Sequence, residues 1–275
     1  MSENAEFEAQ MRQRSRSFDA WALDYDRYRP TYPQSLFDHV AARLELPPDA
    51  RVADLGAGTG KAARQMARRG WHVIAVDPGE GMLDVLRARA EQDGLAIDAR
   101  LASAEETGLP DASVDLVTAG QAFHWFDKAL AVPEMARIVK PGRGVAVFWN
   151  SRADDRSEFL SAYTNLIARY VPEGHVDRRV PGRESTAPAE LAEGGYFEVD
   201  DRVELRHERK MSADAFVGYA FTASQTRLFV DAAARDRLEA DMRALVRAHF
   251  GEGDVAVPYD CDLYVGQRTV KGIRA

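Results

Sequence analysis

At 275 residues, 45% of them hydrophobic, the chain is long enough for one large α/β domain or a core with a cap. No apolar run approaches the ~18 residues of a membrane span and the N-terminus is polar and charged, so a cytoplasmic protein that enters no membrane is expected. A net charge of −8 disfavours nucleic acid, which calls for a basic face, and a single cysteine, Cys261, with no Cys/His cluster at metal spacing excludes an internal disulfide and argues for a metal-free site.

Along the chain, Trp21, Tyr25, Tyr28 and Tyr32 recur at helix-compatible spacing, as an aromatic face packed against the rest of the fold would require. Arg29 follows Tyr28 with a guanidinium fork suited to a carboxylate. Residues 51–55 read as a short buried strand that carries Asp54 near its end and runs into Gly56, Ala57, Gly58, Thr59 and Gly60. Three alternating glycines tolerate positive φ and present no Cβ, so this turn lets a bulky ligand lie against bare backbone. The helix from Lys61 to about Arg69 then opens with unpaired N–H groups.

Three ligand chemistries use such a loop. A P-loop fails twice, because Gly60-Lys61 is followed by Ala62 and Leu55 stands where the first glycine belongs. Gly58-x-Gly60-x-x-Ala63, with Asp77 at about the ~20-residue distance, satisfies a dinucleotide fingerprint. Against it stands Asp54, a carboxylate that would face a like-charged pyrophosphate; an acid there suits a cationic ligand.

The pattern continues with a strand over 72–77 ending at Asp77, then Pro78-Gly79-Glu80-Gly81-Met82-Leu83 and a helix faced by Met82, Val85, Leu86 and Arg89. A strand over 97–102 leads to Ser103-Ala104-Glu105. Another over 114–120 leads to Gln121-Ala122-Phe123-His124-Trp125-Phe126, and a fifth is expected over 144–149. Pro133 should kink the helix from Lys128 to Val139 or restart it. Alternating strands and helices imply a parallel sheet flanked by helices. Beyond Asn150 the pattern changes: a capping helix within Asp154 to Tyr170, a mobile loop from His175 to Gly195, a strand over 203–207, helices from Ala213 to Phe221 and from Arg235 to Phe250, and a last strand from Tyr259 to Gln267. His39, His72, His175, His207 and His249 are scattered and read as structural or solvent-facing, and Cys261 as a small buried hydrophobe.

An acid followed by G-x-G-x-G resembles the first motif of the class I S-adenosylmethionine-dependent methyltransferases. His72 to Leu83 resembles their second motif, Ala102 to Glu105 the segment along the adenine, Pro110 to Val117 the acidic turn into the fourth strand, and Lys140 to Gly144 the turn into the fifth. Phe18 to Pro33, together with Gln121 to Trp125, resembles small-molecule methyltransferases of the trans-aconitate methyltransferase type, and the likeness covers about residues 18–150. It implies a Rossmann-like α/β fold: a mostly parallel seven-stranded sheet with an antiparallel last strand, plus a helical cap. The segments would be an N-terminal helical cap (1–33), an S-adenosylmethionine-binding core (34–150), and a cap insertion with the C-terminal part of the sheet (151–275).

For the site, the resemblance implies that Asp54, Gly56, Ala57, Gly58 and Gly60 hold the methionine end of S-adenosylmethionine and that Tyr28 or Arg29 meets its carboxylate. Asp77, followed by Pro78, takes the ribose hydroxyls; Ser103 and Ala104 meet the adenine; Met82 and Gln121 border the cofactor. Met82 reads equally as helix core, and Ser103-Ala104 as a plain turn. Trp125 and Phe123 would wall the acceptor pocket, and His124 is a candidate base or a packing wedge. The implied reaction is methyl transfer to a small molecule, with O-methylation of a carboxylate or hydroxyl as the leading reading. C- or N-methylation of a secondary metabolite and a non-catalytic binding protein are the alternatives.

Overall fold

The structure, a computed structural model, describes residues 22–173, 176 and 186–269. The expectations for Phe18 to Trp21, for His175 and for most of the loop before Thr186 lie outside the described residues.

Strand β1 (Arg51–Leu55) sits centrally, with β2 (His72–Asp77) and β3 (Ile97–Leu101) on one side and β4 (Val114–Gly120) and β5 (Val139–Arg152) on the other. All of these neighbours pair in parallel. β8 (Val255–Arg268) runs antiparallel to β5, and β6 (Phe197–Val199) and β7 (Val203–Met211) both pair antiparallel with β8. The sheet is therefore mostly parallel with one reversed strand, as expected, and among the described residues it holds eight strands rather than seven. β7 takes Val255 to Leu263 and the three-residue β6 takes Gly266 to Arg268, so the two share one edge of β8.

Chain order reverses beside β1: β2 and β3 extend one way, and the chain then crosses back to β4. In open parallel sheets that switch point, at the carboxyl ends of the strands, is where ligands bind. Asp54 of β1 stands in register with Thr118 of β4 at this point.

Helices α1 (Ala22–Tyr28), α2 (Gln34–Arg43), α3 (Lys61–Arg68) and α4 (Glu80–Gln92) precede β3, and α5 (Lys128–Ile138) precedes β5. One face of the sheet packs Leu36, Phe37, Ala63 and Met66; the other packs Val132, Met135, Phe123 and Trp149. Pro133 lies inside α5, which continues past it as one element, started by Asp127 accepting the Ala129 N–H at 3.0 Å.

Beyond β5 follow α6 (Glu158–Ile167), α7 (Ala187–Ala192), α8 (Ala213–Phe221), α9 (Ser224–Phe229) and α10 (Ala232–Phe250); α6, α8 and α10 form a cap with its own core around Phe159, Tyr163, Phe216, Leu238 and Met242, while α7 packs Ala187 and Leu191 against the sheet. The expected loop to Gly195 is corrected over its second half: Ala187–Ala192 is helical and a 3₁₀ turn follows through Gly195. Pro188 falls in the first helical turn, where its missing N–H has no partner to lose. Among the described residues no helix is long and apolar enough to cross a membrane.

Candidate functional site

The loop after β1 is built as its glycines require. Gly58 has φ +54 and a Cβ there would meet no atom within 4 Å, whereas at Gly60, φ +79, it would lie 2.6 Å from Leu86 Cγ. Gly60 is thus demanded by packing against α4, while Gly58 leaves backbone facing open space.

The two acids flank this loop with different environments. Asp54 is buried, 1% exposed; its Oδ1 accepts the Thr118 hydroxyl at 2.7 Å and its Oδ2 has no hydrogen-bond partner among the described residues. Burial raises its carboxyl to about 7, with the Thr118 hydrogen bond opposing and the nearby Asp77 charge adding to the rise. The Thr59 hydroxyl in the same loop is also buried without a partner. Asp77 accepts the Gly58 N–H on Oδ2 and the Gly79 N–H on Oδ1, both at 2.8 Å. This cross-link holds the glycine loop against the exit of β2. Sequence reasoning missed it because Gly58 and Asp77 are 19 residues apart and belong to different motifs. Of the neighbouring candidates, Pro78 is exposed, while Met82 is buried in a small cluster with Ala22 and Val85. Ala104 is buried, and Ser103 Oγ accepts the Glu106 N–H at 3.2 Å.

At the rim beyond β4, Gln121 adopts φ +57, donates from its amide to the Asn150 carbonyl at 2.7 Å, and so ties β4 to β5. Trp149, buried in β5, donates its indole N–H to His124 Nδ1 at 3.1 Å. Indole nitrogen only donates, so Nδ1 is an acceptor and neutral His124 carries its proton on Nε2. His124 therefore offers a donor at Nε2, not a basic lone pair. Trp125 is 38% exposed with its ring 4.6 Å from that of His124, whereas Phe123 is wholly buried, edge-on to Phe126 and Trp149. Phe123 supports this rim from behind.

A strap from α1 to Tyr32 packs on α3 and α4. Asp26, buried on α1, pairs with Arg64 of α3, with Arg89 of α4 at 2.8 Å and with Lys61 of α3 at 3.9 Å; Lys61 also donates to the Asp26 carbonyl at 2.5 Å. Burial lowers Lys61 to about 8, Asp26 opposing and Arg64, Arg209 and Arg89 adding to the fall. Tyr28 lies against Gly218 of α8, where a Cβ would come within 2.4 Å of its ring, and its carbonyl accepts from Arg209 of β7. Arg29 donates to the Thr222 carbonyl at 2.8 Å. The structure thus gathers Asp54, Gly58 and Asp77 at one strand end and His124 and Trp125 on the adjoining rim, and docks Tyr28 and Arg29 on the cap.

Comparison with known proteins gives a consistent picture. Residues 53–148 match the family described as a methyltransferase domain. Over 218 residues the chain is 31% identical to an uncharacterized methyltransferase of Schizosaccharomyces pombe, covering 79% of this chain and 72% of that protein. An uncharacterized methyltransferase of Mycobacterium tuberculosis is 44% identical over 159 residues, which are 58% of this chain and 61% of that protein, so the chain spans less than two thirds of that relative. A solved structure from Anaeromyxobacter dehalogenans, described as a candidate type II methyltransferase, superposes with a TM-score of 0.63 at 28% identity, over 87% of this chain and 98% of that one.

Proposed function

This chain belongs to the methyltransferase family, and from that premise we propose that it transfers a methyl group from S-adenosylmethionine to an oxygen of a small molecule, a carboxylate or a hydroxyl. The observation that carries the proposal is the pair of acids around the open backbone at Gly58. Asp54 has a buried oxygen with no hydrogen bond and a carboxyl raised to about 7, which a cationic ligand would relieve and a pyrophosphate would aggravate. These residues fit the cofactor.

When bound, S-adenosylmethionine supplies a methyl group on a sulfonium, and its displacement leaves a neutral thioether that needs no proton. Asp54 with the loop from Gly56 through Ala57 and Gly58 to Gly60 would hold the methionine end, Asp77 the ribose, and Ser103 with Ala104 the adenine. Pro78, Met82 and Gln121 would border it, with Tyr28 or Arg29 toward the methionine carboxylate. What the protein contributes to rate is alignment, for which effective molarities of ~10⁵ to 10⁸ M are attainable, together with exclusion of water by the cap.

His124 decides between acceptors. With Nδ1 engaged by Trp149, it orients an acceptor through Nε2–H but does not take its proton. A carboxylate, already ionised at neutral pH, needs no base, so among oxygen acceptors it is the better match. Trp125 would wall the acceptor pocket with Phe123 packed behind it. The likeness of residues 18–33 and 121–125 to the trans-aconitate methyltransferase type supports the same choice, and the net charge of −8 supports a small molecule over nucleic acid.

The test is incubation with methyl-labelled S-adenosylmethionine and panels of carboxylic acids, phenols and amines. Label recovered in a base-labile ester is expected. Label confined to amines or carbon would replace O-methylation by the alternative, and cofactor binding with no transfer to any panel would make the chain a binding protein.

A further inference from the structure

The cap and strap hold a polar cluster that neither the glycine loop nor the His124 rim uses. Near the end of β5, Arg152 lies 5.0 Å over the Tyr163 ring and is paired with Asp154, Nε to Oδ1 at 3.1 Å and Nη2 to Oδ2 at 3.3 Å. Tyr163, on α6, is wholly buried and its hydroxyl has no hydrogen-bond partner among the described residues. Burial pushes that phenol up to about 12, the Arg152 charge opposing, so it remains a protonated donor. Tyr219 of α8 lies within the reach of the Arg152 charge, and Tyr259 of β8 abuts Tyr219.

Arg29 enters this cluster from the strap. Its guanidinium sits between the rings of Tyr25 and Tyr219, 5.4 and 5.6 Å from their centres, and its Nε is buried without a hydrogen bond. Among the described residues no carboxylate lies within ion-pair distance of it. Arg152 is paired with Asp154, whereas the half-buried Arg29 lacks a carboxylate partner among the described residues and the Tyr163 hydroxyl has nothing there to donate to. A buried hydroxyl and a buried guanidinium N–H left without acceptors cost stability, and a ligand oxygen would complete both. Three residues on from Arg29, the Tyr32 N–H donates to the Gln65 side chain at 3.0 Å, which ties the strap to α3, the helix that follows the glycine loop.

We propose that Arg29, Arg152 and Tyr163, walled by Tyr219 and Tyr259, form an anchoring subsite for one carboxylate group of the acceptor. The guanidinium fork and the phenol O–H both donate, as a planar carboxylate requires. That the anchored acid is a methyl acceptor rests on the methyl-transfer reading; that the cluster binds a carboxylate does not.

The experiment is calorimetric titration of the full chain, with and without S-adenosylhomocysteine, using benzoate and cinnamate against benzamide and cinnamamide, for the wild type, Tyr163→Phe and Arg29→Gln. Expected are saturable binding of the acids and amides weaker by about tenfold or more. Loss should be about three- to tenfold in Tyr163→Phe, with S-adenosylhomocysteine affinity held within about twofold in that variant, and beyond about tenfold in Arg29→Gln. Tyr163→Phe removes one oxygen, and coincident melting curves verify its fold. Acids that bind no better than amides, or that do not saturate, overturn the proposal. So does S-adenosylhomocysteine affinity of Tyr163→Phe falling in step with that of the acids, which would assign the cluster to the cofactor. A wild type that binds acids but no S-adenosylhomocysteine would instead sink the methyl-transfer reading and leave the subsite standing.

Discussion

At the scale of single residues, Asp54 makes a prediction about stability before any about catalysis. Its folded carboxyl titrates at about 7, raised chiefly by burial, against ~3.9 for an unfolded aspartate. A raised acid binds more protons folded than unfolded, so its contribution is present below about pH 4 and is lost as pH rises through 7. Urea denaturation without cofactor should therefore show the wild type losing about 2 to 3 kcal/mol more than Asp54→Asn between pH 5 and pH 8. Equal losses would remove the buried charge from the account. His124 gives a second test: His124→Gln keeps an N–H donor, so single-turnover transfer should fall by less than about tenfold, where loss of a general base costs about 10² to 10⁴. Asp54, Asp77 and the glycines were legible in the sequence because they are contiguous with their strands. Thr118 beneath Asp54, Trp149 behind His124 and Tyr163 beside Arg152 were not, because each pairing is made by strand register or cap packing between segments distant in the chain.

At the scale of elements, the strap is fastened by one buried carboxylate against cations from two helices. Asp26→Asn removes that carboxylate and leaves Lys61, Arg64 and Arg89 facing a neutral group, so α1 should open locally. Hydrogen exchange should quicken over residues 22–28 and stay unchanged in β1 and β4; uniform quickening would show that Asp26 serves global stability instead. The glycine loop separates packing from ligand access. Gly60→Ala meets Leu86 and should cost roughly 2 to 4 kcal/mol, whereas Gly58→Ala meets nothing and should cost only about 1 kcal/mol for its left-handed backbone, both read by chemical denaturation. Strands with long apolar runs, such as 72–77 and 114–120, were plain in the sequence. The start of β5 was hidden by Pro141-Gly142, turn residues that fall in an irregular stretch between Val139, paired with Val114, and Gly144, paired with Leu116. β6 is too short for three residues to display alternation.

At the scale of the whole molecule, the order of the strands turns local motifs into a site. Placing β4 beside β1 brings the rim that begins at Gln121 next to the loop that begins at Gly56, and the reversed β8 returns the chain from the cap to pair with β5. The alternation of strands and helices made this parallel core legible. The cap remained opaque, since the residues of its polar cluster come from β5, α6, α8, β8 and the strap, and no segment holds two of them in a recognisable spacing. The claim on which the rest depends is that the glycine loop between two acids receives S-adenosylmethionine on bare backbone. Calorimetric titration of S-adenosylhomocysteine into the wild type and the folded Gly58→Ala variant tests it most directly. The account predicts saturable binding to the wild type and a loss of more than about tenfold in the variant, since a methyl group would occupy the ligand's approach. Equal affinity in both proteins, or a wild type that binds NAD and not S-adenosylhomocysteine, would contradict it.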